Sequence, residues 1–212
     1  MPVDEIVLRA NGGRGLRYST PLVDNIGVFS TGKKFVGAYD KHILEDAWTV
    51  GGNITYYMPF GASSNTYLSF DYFRTQFAQQ MVVDYEHYQN VIDFYALDGK
   101  RSYTDNFQVD FSVDPVERFN ITATFRYTNA RIELEGKGLV EKPMTSQYKG
   151  VLNLQYATNL NRWIFDFTAS VNGPCRVYGF MSDMDGIKER NGRYYSPVYP
   201  LLYAQVTRRF KG

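Results

Sequence analysis

Period-two alternation of apolar and polar residues constrains this chain more than any other feature of its sequence. Trp48, Val50, Ile54, Tyr56 and Met58 share one face of a segment whose other face carries Thr49, Asn53, Thr55 and Tyr57. Phe107, Val109, Phe111 and Val113 oppose Gln108, Asp110 and Ser112. Phe119, Ile121, Ala123, Phe125 and Tyr127 oppose Asn120, Thr122, Thr124 and Arg126. The same rhythm runs through Gly150–Tyr156 and Trp163–Val171. Further strands are expected at about 6–11, 67–83 and 200–210. That gives about eight strands, each near the roughly 9–11 residues a β-strand needs to cross a bilayer.

The connections alternate in length. Short turns are expected at 61–65, 114–118 and 159–162, and long connections at 12–44, 84–98, 129–145 and 173–198. Outer-membrane barrels have this asymmetry, with short periplasmic turns and long extracellular loops. Phe60, Phe119 and Trp163 stand at strand ends near the turns, where an interfacial aromatic girdle belongs. The polar face is rich in Asn, Thr, Asp, Arg and Gln, as a wet lumen requires. Alternation alone does not say which face points outward. A soluble ligand-binding barrel with an apolar interior has the same period. Strand length and loop asymmetry favour an antiparallel up-and-down transmembrane β-barrel meander.

Composition narrows the chemistry. The 23 Lys and Arg balance 22 Asp and Glu, so no broad field draws nucleic acid or anionic lipid. Tyr and Phe are abundant, yet mean hydropathy is −0.37, which suits alternating strands. Cys175 has no cysteine partner, and His42 and His87 show no metal-ligand spacing. No metal, cofactor or catalytic residue is expected. Residues 1–5 lack the basic start and apolar run of a signal peptide. No stretch approaches the roughly 18 apolar residues of a membrane helix.

Several local motifs are weak. Gly27-Val28-Phe29-Ser30-Thr31-Gly32-Lys33-Lys34 nearly spells a phosphate-binding loop, but Lys34 replaces the magnesium-binding hydroxyl and no helical period follows. Gly12-Gly13-Arg14-Gly15 lacks dinucleotide-loop spacing and reads as a tight strand exit. Asp183, Asp185, Gly186 and Glu189 hint at calcium without the EF-hand spacing. Asp110 and Asp166 read as lumen-lining residues rather than a catalytic pair.

The order of motifs resembles the TonB-dependent outer-membrane receptors, particularly those of Bacteroides-like bacteria. Leu8-Arg9-Ala10-Asn11-Gly12-Gly13-Arg14-Gly15-Leu16-Arg17 is similar to their R-A-x-x-G-x-G-x-R element. Glu45-Asp46-Ala47-Trp48-Thr49-Val50-Gly51 resembles E-x-x-W-N-x-G, with Thr49 in the place of the usual Asn. The run Tyr72 to Asp84 resembles Y-x-x-D/N-F-x-N-Q-I/V-V-V-D, and Asn106-Phe107-Gln108-Val109 matches the start of the next hairpin. Lys142-Pro143-Met144 and the residues to Gly150 resemble the R/K-P-L entry to a following strand. The resemblance spans nearly all of residues 1–212, read as one partial barrel domain.

The resemblance implies energised import of a scarce ligand such as a siderophore, haem or cobalamin, with glycans a further possibility. It implies a place in the outer membrane among lipid, within a barrel of about 22 strands. The plug domain that would contact TonB and the family's final strands have no counterpart in the sequence, so a piece of a receptor is expected. The alternative is a complete small eight-stranded barrel with a structural or adhesive role. Candidate contacts to an anionic small-molecule or chelate ligand are Arg14, Arg17, Tyr18, Lys33 and Lys34, all expected in an extracellular loop. Ordinary loop solubility explains those residues equally well.

Overall fold

The structure is a computed structural model that describes residues 5–62, 66–88 and 90–210. In chain order the strands are β1 (Ile6–Tyr18), β2 (Lys34–Gly37), β3 (Leu44–Tyr57), β4 (Tyr67–Gln79) and β5 (Met81–Tyr88). There follow β6 (Val91–Ala96), β7 (Ser102–Val116), β8 (Phe119–Leu134), β9 (Gly138–Glu141) and β10 (Tyr148–Ala157). The last are β11 (Trp163–Asn172), β12 (Arg176–Val177), β13 (Lys188–Arg190), β14 (Arg193–Tyr195) and β15 (Tyr199–Arg208). Helix is confined to short turns, and among the described residues no helix is long and apolar enough to cross a membrane.

One antiparallel sheet dominates, in the order β1-β3-β4-β7-β8-β10-β11-β15, with β9 added beside the end of β8. These eight strands are a meander, each paired to the next along the sheet. Among the described residues β1 and β15 pair on one side only, so the sheet is open. The short turns join β3 to β4, β7 to β8 and β10 to β11 at one end. The expected turn at 61–65 lies partly outside the described residues. The long connections all leave from the other end.

Cross-strand registry carries the alternation across the whole sheet. One row on the apolar face runs Leu8, Ile54, Phe70, Val109, Phe125. One row on the polar face runs Arg9, Asn53, Asp71, Gln108, Arg126, Lys149, Asn172. The two faces differ in crowding along β3 and β4, in the sense opposite to that of a water-soluble sheet. Ile54 is 51% exposed and Phe70 41%, whereas Thr55 and Ser69 are each 6% exposed. Ser112 on the same polar face is also buried. Side chains that converge bury one another, so the polar face is the inner side of the sheet's bend and the apolar face splays outward.

The inner face satisfies its own polar groups. Asn53 Nδ2 donates to Asp71 Oδ1 at 2.8 Å and to Ser69 Oγ at 2.6 Å. Thr124 Oγ1 donates to Asp110 Oδ1 at 2.6 Å, and Arg126 Nε donates to Gln108 Oε1 at 2.8 Å. Asn153 Nδ2 donates to Asp166 Oδ1 at 2.9 Å. Asp110 and Asp166 are therefore held in hydrogen-bond ladders along the wall.

The long connections are more ordered than the sequence leads one to expect. The strand expected over 67–83 breaks at Gln80: β4 stays in the large sheet, and β5 turns away into a second sheet, β2-β6-β5. The connection expected at 84–98 is thus most of a hairpin. The segment 129–145 contains the end of β8 and all of β9, and 173–198 contains the small sheet β12-β14-β13. The dry core lies here, where the connections pack against the end of β8. Val82, Leu97, Ile132, Leu134 and Val140 form one cluster, and Val28, Met81, Ile92 and Phe94 another. Polar alternation leaves the meander little to bury, so the connections carry the continuous apolar runs.

Candidate functional site

The end of the meander opposite the short turns holds a partly open cavity of about 290 Å³. Six parts of the chain build its walls. The end of β1 and the turn after it bring Arg17, Pro21 and Asp24, and β3 brings Glu45. The edge of β5 brings the run from Gln80 to Tyr85, while Ile132, Leu134, Lys142 and Tyr178 close the far side.

Its ionic groups are unequally engaged. Arg17 Nε donates to Glu45 Oε2 at 2.7 Å, and Arg17 Nη2 to Asp24 Oδ2 at 3.1 Å. The other Glu45 oxygen accepts the Met81 backbone N–H at 3.0 Å. Backbone and side-chain hydrogen bonds from Thr20 hold the Asp24 carboxyl below its usual pKa, with the Arg17 charge adding to the effect. Asp84 is buried; its Oδ2 accepts the Tyr95 hydroxyl at 3.2 Å, and its Oδ1 accepts the Glu86 N–H at 2.7 Å. Lys142 differs: among the described residues its ammonium makes no hydrogen bond or ion pair. Lys142 is exposed to solvent, although neighbouring protein crowds the end of its side chain. That crowding lowers its pKa, with the Glu45 charge opposing.

Aromatic rings line the outer part of the wall. Tyr85 and Tyr178 pack with ring centres 4.9 Å apart, and Tyr178 stacks on Phe180 at 5.4 Å. Burial raises the pKa of both phenols, so they stay neutral donors and acceptors at physiological pH. Behind them an ion pair clamps the small sheet in place. Arg176 Nη1 lies 2.8 Å from Glu86 Oε2, both side chains are buried, and Arg176 Nε donates to the Glu141 carbonyl at 2.7 Å.

The five expected ligand contacts are not gathered here. Arg14, Arg17 and Tyr18 sit on β1, not in a loop, because β1 pairs with β3 as far as Tyr18–Leu44. Cross-strand pairs extend the ladder through the glycines: Arg14 makes a bidentate contact with Asp46 at 2.8 and 2.9 Å, and Arg17 pairs with Glu45. Only Arg17 lines the cavity. Tyr18 is 70% exposed. Lys33 stands 4.3 Å above the Phe180 ring in a neighbouring hollow, and Lys34 opens β2. The residues that do meet, Lys142, Tyr85 and Tyr178, carry no linear signal beyond the Lys142-Pro143 pair.

The weak motifs resolve into local structure. Residues 26–31 form a 3-10 turn and Gly32 has φ of +66°, so no helix follows to bind phosphate. Among the described residues no group of three or more His, Cys, Asp or Glu is placed to hold a metal ion. His42 Nδ1 meets the Ser19 carbonyl at 2.7 Å, and His87 Nδ1 meets Asp93 at 2.8 Å. No protein-family model, curated protein or solved structure matches this chain.

Proposed function

We propose that this chain is part of the wall of an outer-membrane β-barrel, and specifically of a TonB-dependent receptor that imports a scarce ligand. One observation carries the membrane reading: along β3 and β4 apolar side chains such as Ile54 and Phe70 are exposed, while polar ones such as Thr55 and Ser69 are buried. A water-soluble sheet protein buries the opposite way. The apolar band on the outer face extends from Tyr156 and Phe165 near the turns to Tyr72 and Tyr127 near the long connections. That is about eight residues along a strand, or roughly 27 Å, close to the height of a barrel's apolar belt before tilt is allowed for. Arg74 and Asp105, paired at 3.1 Å, mark its upper limit.

Backbone groups at a sheet edge have no partner in lipid, so β1 and β15 require neighbours. In the receptor reading, further strands of the same large barrel supply them. The ordered motifs from Leu8 to Gly150 favour that reading. A second reading is a small barrel in which β1 pairs with β15; the eight-strand meander favours it, since eight strands suffice for the smallest outer-membrane barrels.

The size of the native product in its own outer membrane separates them. An antibody to the 129–145 segment should detect an outer-membrane band several times larger than 24.4 kDa. A heat-shifting band near 24.4 kDa supports the small barrel. Absence from the outer membrane contradicts both.

A further inference from the structure

We propose that the cavity beside β5 binds a short peptide in extended form, pairing it with the β5 edge and holding its carboxylate on Lys142. The proposal deepens the receptor reading by naming a ligand class, and it rests on that reading only for the cavity's place outside the membrane.

The edge follows from the ladder. Leu97 N–H donates to the Gln80 carbonyl at 2.9 Å, and β5 then runs antiparallel to β6 with Val83 opposite Phe94. In an antiparallel pair, alternate residues turn their backbone groups to opposite sides. Those of Met81 and Val83 therefore point away from β6. The Met81 N–H does so, toward Glu45. Among the described residues the Met81 carbonyl and both backbone groups of Val83 have no partner, and β5 has no second strand beside it. A donor and an acceptor spaced as in a strand are complementary to a peptide group.

Charge selects the rest of the ligand. Arg17 is already shared between Glu45 and Asp24, which leaves Lys142 as the cation able to take a carboxylate. The lining holds Arg17 and Lys142 against Asp24, Glu45 and Asp84. That balance opposes a multiply charged anion such as a phosphate monoester and admits a zwitterion. The neutral hydroxyls of Tyr85 and Tyr178 add donors and acceptors for amide groups.

The test is calorimetric titration of the whole chain, folded in detergent micelles, with trialanine, trialanine amide and acetate. Trialanine should bind. The amide, which lacks the carboxylate, should bind about tenfold more weakly, and so should trialanine to Lys142→Met, each change removing a hydrogen-bonded charge. Acetate should bind far more weakly than trialanine. Lys149→Met, on the inner face of the meander, should leave binding unchanged and controls for folding. The proposal is overturned if trialanine shows no binding, if the amide binds as tightly, or if Lys142→Met has no effect. Membrane insertion is measured on the same preparation. A chain that inserts without binding peptide contradicts this site alone; one that binds peptide without inserting contradicts the barrel wall alone.

Discussion

Ile54 and Thr55 are neighbours on β3 with opposite surroundings: the isoleucine is half exposed and the threonine almost wholly buried. Ile54 stands in a row of apolar side chains with Leu8 and Phe70. The Thr55 hydroxyl donates to Asn53 Oδ1 at 2.9 Å, inside the polar ladder. In water this arrangement is costly, because burying apolar surface is the main favourable term in folding. In lipid the cost disappears.

Charge on the outer face should therefore destabilise only in a membrane. Ile54→Lys is expected to cost about 2–4 kcal/mol of folding free energy in lipid vesicles, the range for a lysine near the bilayer midplane. Val151→Lys, on the polar face between Thr124 and Ser170, should cost less than about 1 kcal/mol. Urea unfolding from vesicles measures both.

Gly51 faces Phe73 across β3 and β4 on the inner side. A Cβ there would fall 2.3 Å from the ring and 2.4 Å from the Tyr72 carbonyl, so the ring lies over bare backbone. Gly51→Ala should destabilise by about 1–3 kcal/mol through overpacking. Combining it with Phe73→Ala should recover only part of that loss, because the carbonyl contact remains. Denaturant midpoints of the two variants decide it.

The Glu86–Arg176 pair joins β5 to β12 with both partners buried. Arg176→Met leaves the buried Glu86 carboxylate with only Lys137, 3.7 Å away, and should cost about 3 kcal/mol. The loss should be local. Limited proteolysis should cut within 173–198 in the variant while the meander stays protected.

Lys142 should titrate apart from the other lysines. Crowding disfavours its charged form and the Glu45 charge opposes that, while Tyr85 and Tyr178 remain neutral until higher pH. Its folded pKa lies below the ordinary 10.5, so the charged side chain weakens the fold at lower pH. That penalty disappears as pH rises through the folded value toward 10.5. Reductive methylation followed by mass spectrometry should show Lys142 reaching its maximal rate at lower pH than Lys149. Coincident profiles would contradict the crowding.

The meander was legible in the sequence because period two appears wherever the two faces of a strand meet different surroundings. Strand ends were less so. β1 continues past Asn11 through glycines that resemble a turn, and what extends it is ion pairing with β3, visible only when Arg14 meets Asp46 and Arg17 meets Glu45. Met81-Val82-Val83 continues the apolar run of β4, so nothing in the sequence marks the break at Gln80. The cavity left still less trace. Arg17, Tyr85, Lys142 and Tyr178 are far apart in sequence, and only the folding of the connections over the meander's end unites them.

The orientation of the two faces is the central claim, and spin labels test it most directly. Cysteines introduced one at a time along Leu152–Tyr156 and at Ile54 and Thr55, in a Cys175→Ser background, would carry nitroxides in lipid vesicles. Labels at Leu152, Leu154, Tyr156 and Ile54 should relax strongly with oxygen, which concentrates in lipid. Those at Asn153, Gln155 and Thr55 should relax with a water-soluble nickel complex. The reverse alternation, or nickel access at every position, would contradict a membrane wall.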